Sequence, residues 1–265
     1  MACDLSIVVP VHRNAATLRE LHARLSRAAQ HSGADYELIF VDDACPQHSL
    51  TVLRELAARD ARVAVLALAE NVGQNTAVLA GLELARGAVA VVLDADLQDP
   101  PEAIPRLVQA ARTGAIVFGG RRGRYESWPR QISSWLFKHA LAWRSGGRLP
   151  PDAGLFVALP RPAIDRLLAL PVAQPYVVGM LTRTGLPLRS IPVQRAAAPE
   201  RRSSYSNRQR LRLAWHGLRS LQSEPASGDW RDRVRVRERL GQRFTDGCAR
   251  SSGTLPAGSP TGVRA

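Results

Sequence analysis

Two carboxylates at the end of an apolar run are the residues best suited to chemistry in this sequence. Residues 88–93 are all apolar, and Asp94 and Asp96 follow with one residue between them. Because side chains alternate along an extended strand, both carboxylates would point the same way at its end. Hard oxygen ligands of this kind could hold Mg²⁺ or Mn²⁺ against a diphosphate. Pro100 and Pro101 would stop the strand and start the next helix.

The alternative for such a pair is a loop aspartate that caps the following helix. Asp99 lies nearer to that helix and is better placed to cap it. The spacing therefore favours metal binding by Asp94 and Asp96.

The spacing of apolar residues in the first part of the chain predicts alternating strands and helices. Strands are predicted at 5–11, 36–41, 63–68 and 88–93, and helices at 15–30, 50–58 and 76–86. Strands that alternate with helices predict an α/β fold with a Rossmann-like, doubly wound and mostly parallel sheet, flanked by amphipathic helices on both faces.

Three polar motifs fall at the predicted carboxyl ends of these strands. They are Pro10-Val11-His12, Asp42-Asp43 and Asp94-Ala95-Asp96. Ligands of doubly wound sheets bind beyond the carboxyl ends of the strands. We therefore expect the three motifs to converge on one crevice.

Length and composition favour one core with an appendage. The chain has 265 residues, 45% of them hydrophobic. We expect one domain at 1–221 and a basic, disordered tail at 222–265, where Ser, Gly, Pro and Arg dominate.

Three widely scattered cysteines favour a reduced, cytoplasmic protein over a disulfide scaffold. The first residues predict no cleavable leader, and no apolar stretch approaches the roughly 20 residues that span a bilayer.

The net charge of +13 is unevenly distributed. Residues 1–118 hold ten Arg and fourteen acidic residues, a net charge of −4. Residues 119–148 and residues 195–219 each hold seven basic residues and one acid, a net charge of +6. This pattern favours an anionic partner for the second half of the chain. The alternative is that Arg-rich composition reflects coding bias and a solvated surface.

Two segments combine Trp and Leu with basic residues at helical spacing, residues 129–143 and residues 208–221. Such helices could lie on a membrane surface, with Trp and Leu in the headgroup boundary and Arg against anionic lipid. The alternative is that they are ordinary helices that face the core. No module with interleaved basic and aromatic residues is present, so specific nucleic-acid binding is not expected.

An ordered set of motifs over residues 5–221 carries a resemblance to a known family. The motifs are Ser-Ile-Val-Val-Pro-Val-His at 6–12, Val-Asp-Asp-Ala-Cys-Pro at 41–46, Glu-Asn-Val-Gly-Gln-Asn at 70–75, Asp-Ala-Asp-Leu-Gln-Asp-Pro-Pro-Glu at 94–102, Gly-Gly-Arg at 119–121, Ser-Trp-Pro-Arg-Gln-Ile-Ser-Ser at 127–134, Pro-Asp-Ala-Gly-Leu-Phe at 151–156 and Ser-Ser-Tyr-Ser at 203–206. In this order they resemble the family 2 glycosyltransferases of GT-A fold. The branch they resemble transfers sugars to polyprenyl phosphates and includes dolichyl-phosphate mannose synthase and the undecaprenyl-phosphate glycosyltransferases.

The resemblance implies roles for the residues at matching positions. The nucleotide-diphosphate sugar would be bound by Pro10, His12, Val41, Asp43, Asp94, Ala95, Asp96 and Gln98, with the metal on Asp94 and Asp96. The acceptor phosphate would be bound by Arg121, Arg130 and Ser134. Asp152 would lie near the sugar, although a turn residue is the alternative there. Of these, the implied catalytic residues are Asp94, Asp96, Arg121 and Asp152.

Five positions depart from the family's pattern. His12 stands where the family usually has Tyr, Asn14 where it has an acid, and Ala158 where Arg is common. Ala198 and Ser204 replace an Arg and a Lys that would meet the donor diphosphate. A nucleotide-sugar-binding relative with weakened catalysis is therefore one alternative.

The function implied by the resemblance is inverting transfer of a sugar from a nucleotide-diphosphate sugar to a polyprenyl phosphate. The expected location is the inner face of the cytoplasmic membrane, with the protein peripheral to it. A membrane subunit or a homo-oligomer is left open as a partner. The other alternative is a soluble family 2 transferase that acts on a sugar, a protein or a small molecule.

Overall fold

The computed structural model describes residues 3–122, 148–194 and 228–244. These residues contain one eight-stranded sheet. Its strands are β1 (Leu5–Val11), β2 (Tyr36–Asp42), β3 (Val63–Leu68), β4 (Val89–Val92), β5 (Ile116–Arg122), β6 (Val157–Pro160), β7 (Leu188–Gln194) and β8 (Val236–Leu240). The spatial order is β7-β5-β6-β4-β1-β2-β3-β8.

The sheet is mixed, with a parallel centre. β4, β1, β2 and β3 are parallel neighbours, as are β5 and β7. β6 runs antiparallel between β4 and β5, and β8 runs antiparallel along β3. The predicted α/β class and mostly parallel sheet are confirmed, and the antiparallel β6 and β8 are additions to it.

Helices cover both faces of the sheet. They are α1 (Leu18–His31), α2 (Ser49–Arg59), α3 (Gln74–Leu84), α4 (Ile104–Ala111), α5 (Arg161–Leu168) and α6 (Val177–Leu181). Buried side chains of α1, α2 and α4 pack on one face, and those of α3, α5 and α6 pack on the other. This double cover is why every residue of β1 to β4 is buried and why these strands are almost entirely apolar.

Helix α3 approaches the sheet closely because of one glycine. A Cβ on Gly81 would lie 2.5 Å from Cγ1 of Val8 and 2.9 Å from Cγ2 of Val41. Both distances are too short for carbon atoms that are not bonded. Gly81 therefore lets α3 lie directly against β1 and β2. Because α3 follows the carboxyl end of β3, its amino end lies at the carboxyl edge of the sheet.

The predicted strand positions agree closely with the structure. β1 and β3 have the predicted bounds, β2 extends one residue further to Asp42, and β4 begins and ends one residue inside the prediction. The apolar-run signal was strong here because central strands that are covered on both faces contain few polar residues.

The disorder predicted for residues 222–265 does not hold for residues 228–244, which are folded. Asp229 caps a short 3₁₀ helix, Trp230 is fully buried, and β8 follows. The prediction rests on the average composition of the whole tail, which is rich in Ser, Gly, Pro and Arg. That average does not reveal one short segment in which Trp230, Val234 and Val236 are buried apolar residues. The rest of the predicted tail lies outside the described residues.

The two amphipathic segments at 129–143 and 208–221 also lie outside the described residues. Among the helices of the described ranges, none combines the length and the apolar character that crossing a membrane requires.

Trp230 offers a test of the folded C-terminal segment. Trp230→Ala removes a large side chain with no solvent exposure, and the resulting cavity should lower the free energy of unfolding by about 3 to 5 kcal/mol. Denaturant unfolding followed by circular dichroism would measure this change. The control Arg235→Ala, at an exposed position in the same segment, should change stability by no more than about 0.5 kcal/mol. Equal stability of both variants would contradict the packing of this segment.

Candidate functional site

The loops at the carboxyl edge of the sheet form the candidate site. They follow β1, β2, β3 and β4, whose carboxyl ends lie at the same edge because the strands are parallel. Four residues other than glycine have positive φ in the described ranges, and all four lie in these loops: Arg13 (62°), Ala44 (46°), His48 (58°) and Leu97 (62°). Such backbone conformations are unfavourable for L-residues and persist only where surrounding contacts enforce them.

Asp43 joins the loops that follow β2 and β3. One carboxylate oxygen accepts a hydrogen bond from the backbone N–H of Val72 at 2.7 Å. The other accepts from the backbone N–H of Gly73 at 3.0 Å and from Nδ2 of Asn71 at 3.0 Å. Burial raises the pKa of Asp43, and the two backbone bonds act in the opposite direction. Asp43 is only 2% exposed, so it lies behind the rim of the crevice.

His12 and Asn71 form the rim in front of Asp43. Nδ1 of His12 lies 3.1 Å from the Asp43 carbonyl oxygen and 3.1 Å from Nδ2 of Asn71. The sequence motif at 70–75 was noted, but no role was predicted for Asn71. The structure adds Asn71 to the site because it contacts both His12 and Asp43.

Pro10 and Val41 lie beneath this rim. They are paired neighbours in β1 and β2, and both are buried. Val41 as a whole residue has no solvent exposure in this structure. Their predicted part in nucleotide binding stays a prediction.

Asp94 and Asp96 lie just beyond β4, as predicted. Both are partly exposed, whereas Ala95 between them is buried in the core. Burial thus alternates over these three residues, although β4 ends at Val92 and the chain turns at residues 95–96. The Ala95 carbonyl lies 2.6 Å from the hydroxyl of Thr17, which ties this loop to the 3₁₀ turn before α1.

Each of the two carboxylates has a polar neighbour that orients it. Nε2 of Gln74, the first residue of α3, donates to Asp94 at 2.5 Å. The backbone N–H of Gln98 donates to Asp96 at 3.0 Å. No role was predicted for Gln74, and its side-chain contact depends on how α3 meets the sheet, which local sequence does not reveal.

The donor set at this position fits a divalent ion that is shared with a phosphate ligand. In the described ranges no group of three or more His, Cys, Asp or Glu side chains could hold a metal alone. Mg²⁺ is commonly bound by one or two carboxylates, with substrate phosphates and water completing the shell. Asp94 and Asp96, two partly exposed carboxylates in the loop after β4, supply that number of ligands.

Asp152 occupies the other side of the same edge. β6 begins at Val157, opposite Val92 of β4, so the residues that precede β6 lie at the carboxyl edge of β4. The Asp152 carboxylate accepts a hydrogen bond from Oγ of Ser190 in β7 at 2.7 Å. A Cβ on Gly120 would lie 1.9 Å from Oδ2 of Asp152 and 2.2 Å from Oγ of Ser190, so any larger residue there would force these side chains to move. Gly120 thus explains part of the Gly-Gly-Arg motif.

The predicted acceptor residues are only partly described. Arg121 is the next-to-last residue of β5, beside Val193 of β7, and its backbone lies at the carboxyl end of that strand. Arg130 and Ser134 lie outside the described residues, and so do Ala198 and Ser204.

Ala158 is a departure from the family's pattern that the structure locates away from the crevice. It lies inside β6, paired with Val91 and Val117, and has no solvent exposure. An arginine at this position would have to be buried in the core.

Asp42 is a buried acid that belongs to this edge but faces the core. Burial raises the pKa of Asp42 to about 6. A hydrogen bond from the backbone N–H of Cys45 lowers this pKa, and the negative charge of Asp43 raises it further. Cys45 in turn accepts hydrogen bonds from the backbone N–H of Arg13 at 3.0 Å and from Oγ of Ser49 at 2.9 Å. These contacts connect the loops after β1 and β2.

Comparison with known proteins adds a family match. The profile described as glycosyl transferase family 2 matches residues 6–163. An uncharacterized glycosyltransferase, YkcC of Bacillus subtilis (strain 168), is 29% identical over 222 residues, which are 83% of this chain and 69% of the relative. An undecaprenyl-phosphate 4-deoxy-4-formamido-L-arabinose transferase of Pseudomonas fluorescens (strain SBW25) is 34% identical over 83% of this chain and 65% of the relative.

Other relatives are matched over a smaller part of their length. A transferase of the same name from Edwardsiella ictaluri (strain 93-146) is 38% identical over 62% of this chain, and the match spans only 51% of that relative.

Solved structures show the GT-A fold. The mannosyltransferase PcManGT of Pyrobaculum calidifontis, in complex with GDP-Man and Mn²⁺, matches with a TM-score of 0.57 and 19% identity, over 76% of this chain and 59% of that chain. Glucosyl-3-phosphoglycerate synthase of Mycobacterium tuberculosis, in complex with Mn²⁺, UDP and its product, matches with a TM-score of 0.58 and 21% identity, over 86% and 81% of the two chains. The predicted GT-A fold is therefore confirmed.

The raised pKa of Asp42 predicts a stability change with pH. The folded-state pKa of about 6 exceeds the ordinary value of 3.8, so the folded state retains a proton that the unfolded state loses between these values. Stability therefore falls as the pH rises through this window, by roughly 3 kcal/mol from this group. The variant Asp42→Asn has no carboxyl group to ionise at this position, so its stability does not fall for this reason. In denaturant unfolding, the variant should gain stability relative to the unsubstituted chain between pH 4 and pH 7.

The control for Asp42 is Asp165→Asn, which removes an exposed carboxylate on α5. It should show no such gain between the two pH values. A stability difference between Asp42→Asn and the unsubstituted chain that does not vary with pH would contradict the assignment.

A second test concerns the fit of Gly120 against Asp152. Gly120→Ala should lower the free energy of unfolding by about 1 to 3 kcal/mol, since the added methyl overlaps the carboxylate. In an Asp152→Ala background the same substitution should cost less, because the overlapping atoms are gone and Ser190 can rotate away. A double-mutant cycle measured by thermal unfolding checks this, and equal costs in both backgrounds would refute the contact.

Proposed function

The chain belongs to glycosyl transferase family 2, and we propose that it transfers a sugar from a nucleotide-diphosphate sugar to a polyprenyl phosphate of the undecaprenyl type. The single observation that carries the proposal is the pair of partly exposed carboxylates, Asp94 and Asp96, beyond β4 in the crevice. Around it lie the loop residues that the family resemblance assigns to the donor nucleotide.

Asp94 and Asp96 would hold Mg²⁺ or Mn²⁺ together with the donor diphosphate. When bound, the ion supplies positive charge that stabilises the diphosphate as it leaves the sugar. Gln74 and the backbone of Gln98 keep the two carboxylates oriented before the donor arrives. The structures of PcManGT and of glucosyl-3-phosphoglycerate synthase contain Mn²⁺, which supports use of a divalent metal.

The acceptor side requires orientation more than proton transfer. A phosphate monoester has its second pKa near about 6, so it is already largely ionised at neutral pH and needs no strong general base. Arg121, Arg130 and Ser134 would hold this nucleophile in line with the sugar, and Asp152 would orient a sugar hydroxyl. The bond from Ser190 fixes the Asp152 carboxylate for that task.

The relatives support the choice of acceptor. Several of them are named as undecaprenyl-phosphate transferases of a formamido-arabinose. A lipid acceptor would place the protein at the inner face of the cytoplasmic membrane, where the basic residues of 119–148 and 195–219 would meet anionic headgroups. A membrane subunit or a second copy of the chain could complete the assembly.

The direct test is a panel of nucleotide sugars with Mg²⁺ or Mn²⁺, offered with a short polyprenyl phosphate and analysed by mass. We expect a glycosylated polyprenyl phosphate from one donor. A parallel series replaces the lipid with water-soluble sugar and peptide acceptors. Product in that series alone would contradict the lipid acceptor and favour a soluble family 2 transferase. Donor binding without any product would favour a nucleotide-sugar-binding relative.

Asp96→Asn tests the metal assignment. Loss of one carboxylate weakens binding of the metal ion and thereby the stabilisation of the leaving diphosphate. Turnover should therefore fall about a hundredfold or more. The readout is product formation over a range of Mn²⁺ concentrations. Asp165→Asn, at an exposed site remote from this edge, should retain full activity. Full turnover by Asp96→Asn in protein treated with a chelator would exclude metal binding by Asp96.

A further inference from the structure

The segment before β8 runs along one end of the crevice. Val236 pairs with Leu68 at the end of β3, and the backbone N–H of Ala69 donates to the carbonyl of Arg235 at 2.8 Å. Two residues earlier, Nη2 of Arg233 lies 3.5 Å from the carbonyl oxygen of Val72. The segment therefore continues antiparallel past the end of β3, along the loop that leads into α3.

The backbone that carries Arg233 is firmly anchored. Trp230 is fully buried, and Arg231 forms an ion pair with Glu83 of α3 at 2.8 Å. Arg231 also donates to the carbonyl oxygen of Leu168 at the end of α5 at 3.2 Å. In contrast, Arg233 itself is exposed. A fixed backbone with an exposed guanidinium suits a binding residue, because little entropy of the main chain is lost when a ligand binds.

Arg233 contacts the loop that also contains the rim residue Asn71. Nη2 of Arg233 donates to the carbonyl oxygen of Val72, and the backbone N–H of Val72 donates to the Asp43 carboxylate. Burial raises the pKa of Asp43, and the positive charge of Arg233 acts against that rise. The charge of the Arg233 guanidinium therefore acts on the Asp43 carboxylate.

The strand order separates Arg233 from the metal ligands. Asp94 and Asp96 follow β4, whereas Arg233 lies beyond β3, and β1 and β2 lie between them. A nucleotide whose diphosphate is held at Asp94 and Asp96 would extend across β1 and β2. Its base would then reach the end of the crevice where Arg233 lies.

We propose that Arg233 binds the base of the donor nucleotide, by donating hydrogen bonds to a carbonyl oxygen on the edge of guanine or uracil. This inference rests on the proposed function. A guanidinium carries five N–H donors, and among the residues that the structure describes only the long bond to Val72 engages one of them. Arginine pairs well with guanine O6 and N7, whereas adenine has an amino group in place of that oxygen. Arg233 would therefore select against an adenine nucleotide.

The test is calorimetry on the full chain with Mn²⁺, using GDP, UDP, ADP and inorganic diphosphate as probes. We expect GDP or UDP to bind more tightly than ADP. Arg233→Ala should weaken binding of the preferred nucleotide about tenfold and leave inorganic diphosphate unchanged. Arg233→Lys, which keeps the charge and one donor group, should bind with intermediate affinity. The matched control Arg235→Ala should bind like the unsubstituted chain.

The outcomes separate this inference from the function on which it rests. Absence of nucleoside diphosphate binding by the unsubstituted chain would overturn the proposed function and this inference with it. Undiminished nucleotide binding by Arg233→Ala, or tightest binding of ADP by the unsubstituted chain, would overturn the inference alone. Equal weakening of nucleotide and inorganic diphosphate by Arg233→Ala would also overturn it, because it would indicate an effect on the diphosphate end or on the whole loop.

Discussion

Helices on both faces of the sheet force polar chemistry to the ends of its strands. β1 to β4 are buried along their whole length, and an ionised side chain within them is costly unless it is paired or hydrogen-bonded, so the acids of β2, Glu37 and Asp42, lie near its two ends. The two edges resolve this constraint differently. At the amino edge, Glu37 accepts hydrogen bonds from Ser6 at 2.7 Å and from the backbone of Arg86 at 2.8 Å. At the carboxyl edge, Asp94 and Asp96 stay partly exposed. The same strands thus end in a structural network on one side and in a candidate site on the other.

The carboxyl edge is held in shape at some energetic cost. Positive φ at Arg13, Ala44 and Leu97 is unfavourable by about 1 to 3 kcal/mol for each residue. Contacts between the loops offset this cost, above all the three hydrogen bonds that Asp43 accepts from the loop after β3. The buried Asp43 therefore stabilises the positions of His12 and Asn71, which it contacts through its carbonyl oxygen and its carboxylate. A rim assembled before a ligand binds needs little reorganisation when it does.

The sequence was most informative where a property depends on neighbours along the chain. The apolar runs of β1 and β3 are local patterns, and the structure agrees with them; at Asp94, Ala95 and Asp96 the burial alternates as expected, although the chain turns there. Contacts between distant segments left no local pattern. Gln74 reaches Asp94 only because α3 packs closely on β1, and a residue larger than Gly120 would displace side chains only because Asp152 lies across from it. Disorder was predicted where β8 lies for a related reason, since the buried Trp230 stands within a stretch of polar, Arg-rich composition.

Charge gives an independent reason why this site should need a cation. Residues 1–118 carry a net charge of −4, and Asp43, Asp94 and Asp96 all lie at the edge where an anionic diphosphate would bind. Without a counter-charge, such a site would repel its own donor. A divalent ion on Asp94 and Asp96 would reverse the local field at the diphosphate, because a bound metal is often the largest charge in its site. Arg233 adds positive charge at the opposite end of the crevice, from a segment that is distant in sequence. On the proposed function, the acidic half of the chain and the late arginine would act as complementary parts of one site, whose attraction for the donor would depend on the metal at one end and on the folded C-terminal segment at the other.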